Sequence, residues 1–246
     1  MQKTISTSIS RLVISLVALL LVTDASAQGT TVTSTSTGAT AVVPDSLKLF
    51  QGVSVGYDLV GAGLLMFSDY GHHELCVRAN LKDKYFPVVE VGVGKANHDD
   101  DVTGIHYDTQ APYFRVGCDF NLMHQKHSDH KVFAGVRYAF TSYKANIWSK
   151  TLTDPVWQTP VDYNITDEKC SQHWAEAIVG IDTKIWGPVH FGWTARYRHR
   201  LAHDDGEGGR VWYVPGFGIS DSSVLTATFN VSVLLDRTIW KGKTKN

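Results

Sequence analysis

From Gly52 to Leu235 the chain alternates apolar and polar residues one for one, in stretches of about 8–13 residues. A period of two is the strand period, and no stretch of this region keeps the 3.6-residue spacing of an amphipathic helix. Phe114, Val116, Cys118, Phe120 and Leu122 alternate with Tyr113, Arg115, Gly117, Asp119 and Asn121. Val189, Phe191, Trp193, Ala195 and Tyr197 alternate with His190, Gly192, Thr194, Arg196 and Arg198. The pattern predicts eight strands, near 52–59, 74–81, 86–95, 112–122, 131–143, 173–185, 189–201 and 223–235.

The connectors alternate in length as well. Those at 60–73, 96–111, 144–172 and 202–222 are long, and those at 82–85, 123–130 and 186–188 are short. An even number of strands with short turns on one side and long loops on the other is the layout of an outer-membrane barrel. The expected fold is therefore all-β: an eight-stranded antiparallel transmembrane barrel with short periplasmic turns and long extracellular loops. The composition of the two faces supports lipid outside. One face is Val, Phe, Leu and Ala, while the other carries Asp58, Arg78, Glu90, Arg115, Asp119, Arg137, Glu176, Asp182, Lys184, Arg196 and Arg198 among glycines. Eight strands leave a lumen that side chains just fill, and six basic with five acidic groups can pair there. A lipocalin-like soluble barrel stays open as the alternative, with the apolar face turned inward around a ligand. Tyr85, Phe86, Trp186 and Trp240 near one set of strand ends, and Tyr143, Trp148 and Trp174 near the other, fit interfacial girdles.

The N-terminus reads as an export signal. Lys3 and Arg11 precede the apolar run Leu12–Val22, and Ala25-Ser26-Ala27 supplies a small-x-small cleavage site. The run is too short for a spanning helix, which needs ~20 residues. Residues 1–27 are thus expected to be a signal peptide, 28–48 a flexible Ser/Thr-rich tether, 49–236 the barrel and 237–246 a periplasmic tail. The expected location is the cell outer membrane. A net charge of -1 gives no electrostatic reason for a nucleic-acid partner. The expected partners are outer-membrane lipid, the barrel-assembly machinery during biogenesis, and an unidentified partner of the loops 144–172 and 202–222.

Several motifs invite chemistry. Gly52-Val53-Ser54-Val55-Gly56 matches the G-x-S-x-G nucleophile elbow, but it lies inside an alternating strand without the helix that the elbow requires. Ser220, Asp221, His203 and His106 could supply a Ser/His/Asp set at the rim of a lipid- or glycan-modifying enzyme, although any solvated loops contain such residues. His124, His127, Asp129 and His130 in one turn, and His98 with Asp99, Asp100 and Asp101, are residue types that hold Zn²⁺ or Ca²⁺. A hydrophilic turn accounts for both groups equally well, and 204–209 reads as an acidic loop tip. Cys76 is expected to face the lumen, Cys118 lipid, and Cys170 is expected in a loop. Opposite faces of a sheet exclude a Cys76–Cys118 disulfide. No residue is assigned as catalytic, cofactor-binding or metal-ligating, and no cofactor is expected.

The stretches NLKDKYFPVVEVGVG (80–94), APYFRVGCDFNLM (111–123), FAGVRYAF (133–140), DPVW (154–157) and RVWYVPGFG (210–218) resemble a family of Bacteroidota proteins, the domain-of-unknown-function family 6048. The resemblance covers most of 50–235. It implies an exported barrel in the cell envelope, and it implies no reaction. Two function classes follow: a non-enzymatic envelope anchor whose loops bind a partner or shield the surface, and an enzyme with its site in the extracellular loops.

Overall fold

The computed structural model describes residues 49–123, 129–149, 153–154, 156–157, 159, 163–206 and 211–235. The expected signal peptide, tether and C-terminal tail, together with His124, His127 and Trp240, lie outside the described residues.

The strands are β1 (Phe50–Asp58), β2 (Tyr70–Leu81), β3 (Tyr85–Asp100), β4 (Ile105–Asn121), β5 (His130–Ser149), β6 (Tyr163–Trp186), β7 (Val189–Asp204), β8 (Tyr213–Val214), β9 (Gly218–Ile219) and β10 (Ser223–Leu235). One helix, α1 (Leu59–Phe67), follows β1. Eight strands close into a barrel in the order β1-β10-β7-β6-β5-β4-β3-β2, and β8 pairs with β9 in a small separate hairpin. Every neighbouring pair in the barrel is antiparallel. Closure leaves no free edge along most of the wall, which is what a sheet needs in a solvent without hydrogen-bonding capacity.

The facing is as the alternation predicts. Val116 and Val136 are 55% and 56% exposed on the outside, whereas Thr194 and Thr228 are each 3% exposed inside. Leu75, Val89, Val91, Phe114, Phe140, Val179, Phe191 and Phe229 also face outward. Glu90, Arg115, Asp119, Arg137, Glu176, Arg196 and Arg198 are buried. A barrel in water would have these two sets exchanged; this one is a transmembrane barrel. No helix among the described residues is long and apolar enough to cross a membrane.

The connectors depart from expectation. The predicted loop 96–111 is almost all strand, since β3 runs to Asp100, β4 begins at Ile105, and Asp100 Oδ1 accepts from Val102 N at 2.9 Å in the turn. The predicted loop 144–172 is likewise largely a hairpin extension of β5 and β6. Cys170, expected in a loop, therefore sits in β6 and is buried. The connector 60–73 contains α1, whose N-terminus is capped by Asp58 through Val60 N and Gly61 N. The short turns follow their residues: Lys82 and Asp83 both take positive φ, with Asp83 N held by Asn80 Oδ1 at 2.9 Å.

Some side chains also depart from expectation. Phe86, Tyr143 and Trp174, expected in interfacial girdles, are buried, while Tyr85 and Trp186 are exposed. Lys184, placed among the luminal charges, lies at the short-turn end and pairs with Asp129 at 3.2 Å, both side chains being substantially exposed. Next to a turn a long side chain reaches the water at the end of the barrel, so parity no longer decides which solvent it meets.

Candidate functional site: a corked, charge-filled lumen

The centre of the lumen is an ion network. Glu90 is met by Arg196 at 2.7 Å, Arg115 at 3.1 Å and Arg137 at 3.4 Å. Glu176 accepts from Trp174 Nε1 at 2.7 Å and pairs with Arg115 at 2.9 Å and Arg198 at 3.2 Å. Glu74 accepts from Tyr113 Oη at 2.6 Å and pairs with Arg115. Toward the short-turn end Asp119 bridges Arg137 at 2.7 Å and Arg78 at 3.1 Å. Asp182 holds His190 Nδ1 at 2.6 Å. These charges come from strands far apart in sequence, and alternation alone points them at one another. Buried charges persist only when paired in this way. Glu74, absent from the expected luminal charges, lies two positions before Cys76 on the inward face of β2, where the alternation with Leu75 also points it.

The network is capped from the long-loop end by residues 211–220. Val211, Tyr213, Val214 and Phe217 are buried, so this segment of the connector 202–222 turns into the barrel instead of into solvent. Val214-Pro215-Gly216-Phe217 is a type II turn: proline at the second position, Gly216 at φ +80°, and Phe217 N donating to Val214 O at 3.0 Å. A Cβ on Gly216 would stand 2.4 Å from the Tyr113 ring, so both the angle and the space demand glycine. Luminal groups hold the cork by its backbone. Arg115 donates to Gly216 O at 2.7 Å, Arg198 to Phe217 O at 2.8 Å and Tyr107 Oη to Tyr213 O at 2.6 Å. Phe217 packs edge-on to Trp174, and Trp212 stacks on His98 at 4.1 Å. A Pro-Gly pair amid Trp, Tyr and Phe was the available signal for an inward turn. Toward the short-turn end lies a cavity of about 40 Å³ lined by Ser54, Arg78, Asp182 and His190.

The residues singled out from sequence do not converge on chemistry. Ser54 lies in β1 and contacts Arg78 O at 3.5 Å, with no strand-to-helix elbow around it. Ser220 Oγ accepts from Arg200 at 2.9 Å, His203 approaches Asp205, and His106 pairs with Asp99 and stacks on Trp148. Asp221 hydrogen-bonds its neighbour Ser222. His98 pairs with Asp69 at 2.9 Å, and Asp100 serves its own turn, where the amide of Val102 holds its carboxyl below the usual range. Among the described residues no group of three His, Cys, Asp or Glu could hold a metal ion. Asp129 pairs with Lys184, and His130 heads β5. Cys76 lies inside and Cys118 on the outer face, so no bridge joins them, and all three cysteines are free.

The model of a family described as "Domain of unknown function (DUF6048)" matches residues 9–235. No curated protein matches the chain. Among solved structures the chain is similar to a major outer membrane protein from Thermus thermophilus, at 15% identity and a TM-score of 0.41, over 76% of this chain and 99% of that one. It is also similar to Neisserial surface protein A, at 9% identity and a TM-score of 0.39, over 75% and 95% of the two chains. A third is CarO2 of Acinetobacter baumannii, at 10% identity and a TM-score of 0.38, over 76% and 98%.

Proposed function

The chain belongs to the DUF6048 family, and from its sealed lumen we propose that it is a non-enzymatic anchor of the outer membrane that holds a surface hairpin in place. In this reading the short turns face the periplasm and the long-loop end faces out. The single observation that carries it is the cork: residues 211–220 fill the outer mouth and are tied to Arg115, Arg198 and Tyr107. A barrel plugged in this way offers solutes no path, so its working surface is its rim.

At that rim the β5–β6 hairpin stands tallest, with strands of 20 and 24 residues against 9 for β1. Ladder pairs run from His130↔Thr183 up to Ser149↔Tyr163, which makes the extension a stiff arm. Such an arm presents a fixed surface to a partner at low ordering cost. An epitope inserted between Ser149 and Tyr163 should be stained by antibody on intact cells. Staining only after permeabilisation would place the hairpin in the periplasm and refute the surface-arm reading.

A further inference from the structure

Among the described residues the barrel wall has one break above the Val53↔Leu235 pair. β1 pairs with β10 only from Val53↔Leu235 to Asp58↔Asn230, after which β1 gives way to α1. β10 continues back to Ser223, paired with β7 on its other side as far as Ser223↔His199. Along Ser223–Phe229, therefore, the flank of β10 that β1 would cover faces α1, a nine-residue helix that packs on β10 and β2. The break lies at lipid depth, because Leu225 and Phe229 of the same stretch are exposed outward and apolar. The outer side of the helix is apolar too: Met66 and Phe67 are 77% and 88% exposed.

Behind the break is a cavity of about 110 Å³, lined among others by Val60 and Leu64 of α1, Tyr70 of β2, Tyr213 and Gly216 of the cork, and Thr226 of β10. The charged groups at its wall are already committed. Asp58 serves the α1 amides and His72, while Arg198 serves Phe217 O and Glu176. Thr226 Oγ1 is buried and has no partner among the described residues. Apart from that one hydroxyl, what is left to offer a ligand is aliphatic and aromatic surface. The size is close to that of an apolar cavity of ~150 Å³ that stays dry and takes up benzene.

We propose that this cavity is a lateral site for the methyl end of one acyl chain of a membrane lipid, entering between α1 and β10. The proposal goes beyond the anchor reading and depends only on the barrel spanning a membrane, whichever end faces out. The test uses the full-length protein refolded into dimyristoyl phosphatidylcholine vesicles doped with a phosphatidylcholine bearing a diazirine at the end of one acyl chain. After illumination, adducts are mapped by peptide mass spectrometry along β10, where successive residues face opposite sides. Adducts at the inward Thr226 and Thr228 as well as at the outward Leu225 and Phe229 are expected. Leu64→Trp, which fills the cavity, should lose the inward adducts and keep the outward ones, and Thr226→Leu should do the same from the opposite wall. Adducts confined to Leu225 and Phe229 in the unmodified protein overturn the proposal, and that map decides even if both variants fail to fold. Inward adducts that persist unchanged in folded Leu64→Trp and Thr226→Leu overturn it as well.

Discussion

Arg115 ends on the carbonyl oxygen of Gly216, 2.7 Å away and 101 residues later in the chain. The same guanidinium pairs with Glu74, Glu90 and Glu176. The charges that fill the lumen and the segment that corks it are therefore one structure, and loosening either loosens both.

Gly216→Ala tests that coupling. The substitution places a Cβ at a φ of +80° and 2.4 Å from the Tyr113 ring. A strained backbone of this kind costs about 1–3 kcal/mol, and the turn must also back away from Tyr113. The unfolding free energy from urea titration in vesicles should fall by that amount, with the midpoint moving down accordingly, whereas Gly63→Ala, where a Cβ meets nothing within 4 Å, should be neutral or mildly stabilising. Equal effects at the two glycines would contradict the seated cork.

Glu90→Gln should be among the most destabilising single changes in the barrel. It removes the charge facing Arg115, Arg137 and Arg196 together. Breaking a buried pair in this way costs about 3–5 kcal/mol, read as loss of folded barrel at a fixed urea concentration. A cost below about 1 kcal/mol, the size of an exposed pair, would mean that water reaches the network.

Gln172→Met should stabilise the protein. Gln172 is fully buried in β6, and neither side-chain amide atom has a partner among the described residues. Replacing an unsatisfied buried amide by a thioether of similar shape recovers about 1–3 kcal/mol of desolvation cost. A drop in thermal or urea stability would show that the amide is satisfied after all.

The two faces can be separated by charge. Val116→Arg and Val136→Arg place a cation in lipid at a cost of roughly 2–4 kcal/mol. Thr194→Lys and Thr228→Lys place it among the luminal carboxylates, where crowding costs about 1–3 kcal/mol. The valine variants should lose more folded barrel in vesicle refolding. Cys118, on the outer face, should react with membrane-partitioning thiol reagents and resist water-soluble ones. Valine variants that refold normally while the threonine variants fail would invert the facing.

How far the sequence discloses this structure follows from where its contrast lies. Where one solvent is lipid and the other a polar lumen, every second residue must change character. Phe114 to Leu122 and Val189 to Arg198 therefore show their facing directly. Beyond the membrane the outer face meets water while the inner face packs around the cork. Along Ser142–Ser149 and Tyr163–Gln172 the ladder therefore continues, but the contrast no longer sets apolar outside against charged inside: Tyr143, Ala145, Ile147 and Cys170 are buried there. The hairpin thus reads as a loop, and Cys170 with it. The cork is opaque for a different reason. A turn has no period, and only Pro215-Gly216 marks it, while the Arg115 and Arg198 that bind it lie on other strands. The helix α1 is hidden by its composition, since LVGAGLLMF is apolar all round and carries no amphipathic period.

Single-channel recording in planar bilayers tests the central claim, a barrel closed by its own charges and its own chain. The unmodified protein should insert without steady conductance, because the ion network fills the centre of the lumen and residues 211–220 its long-loop end. Stable, porin-sized openings in most insertions would contradict the sealed lumen and make solute passage the function to pursue.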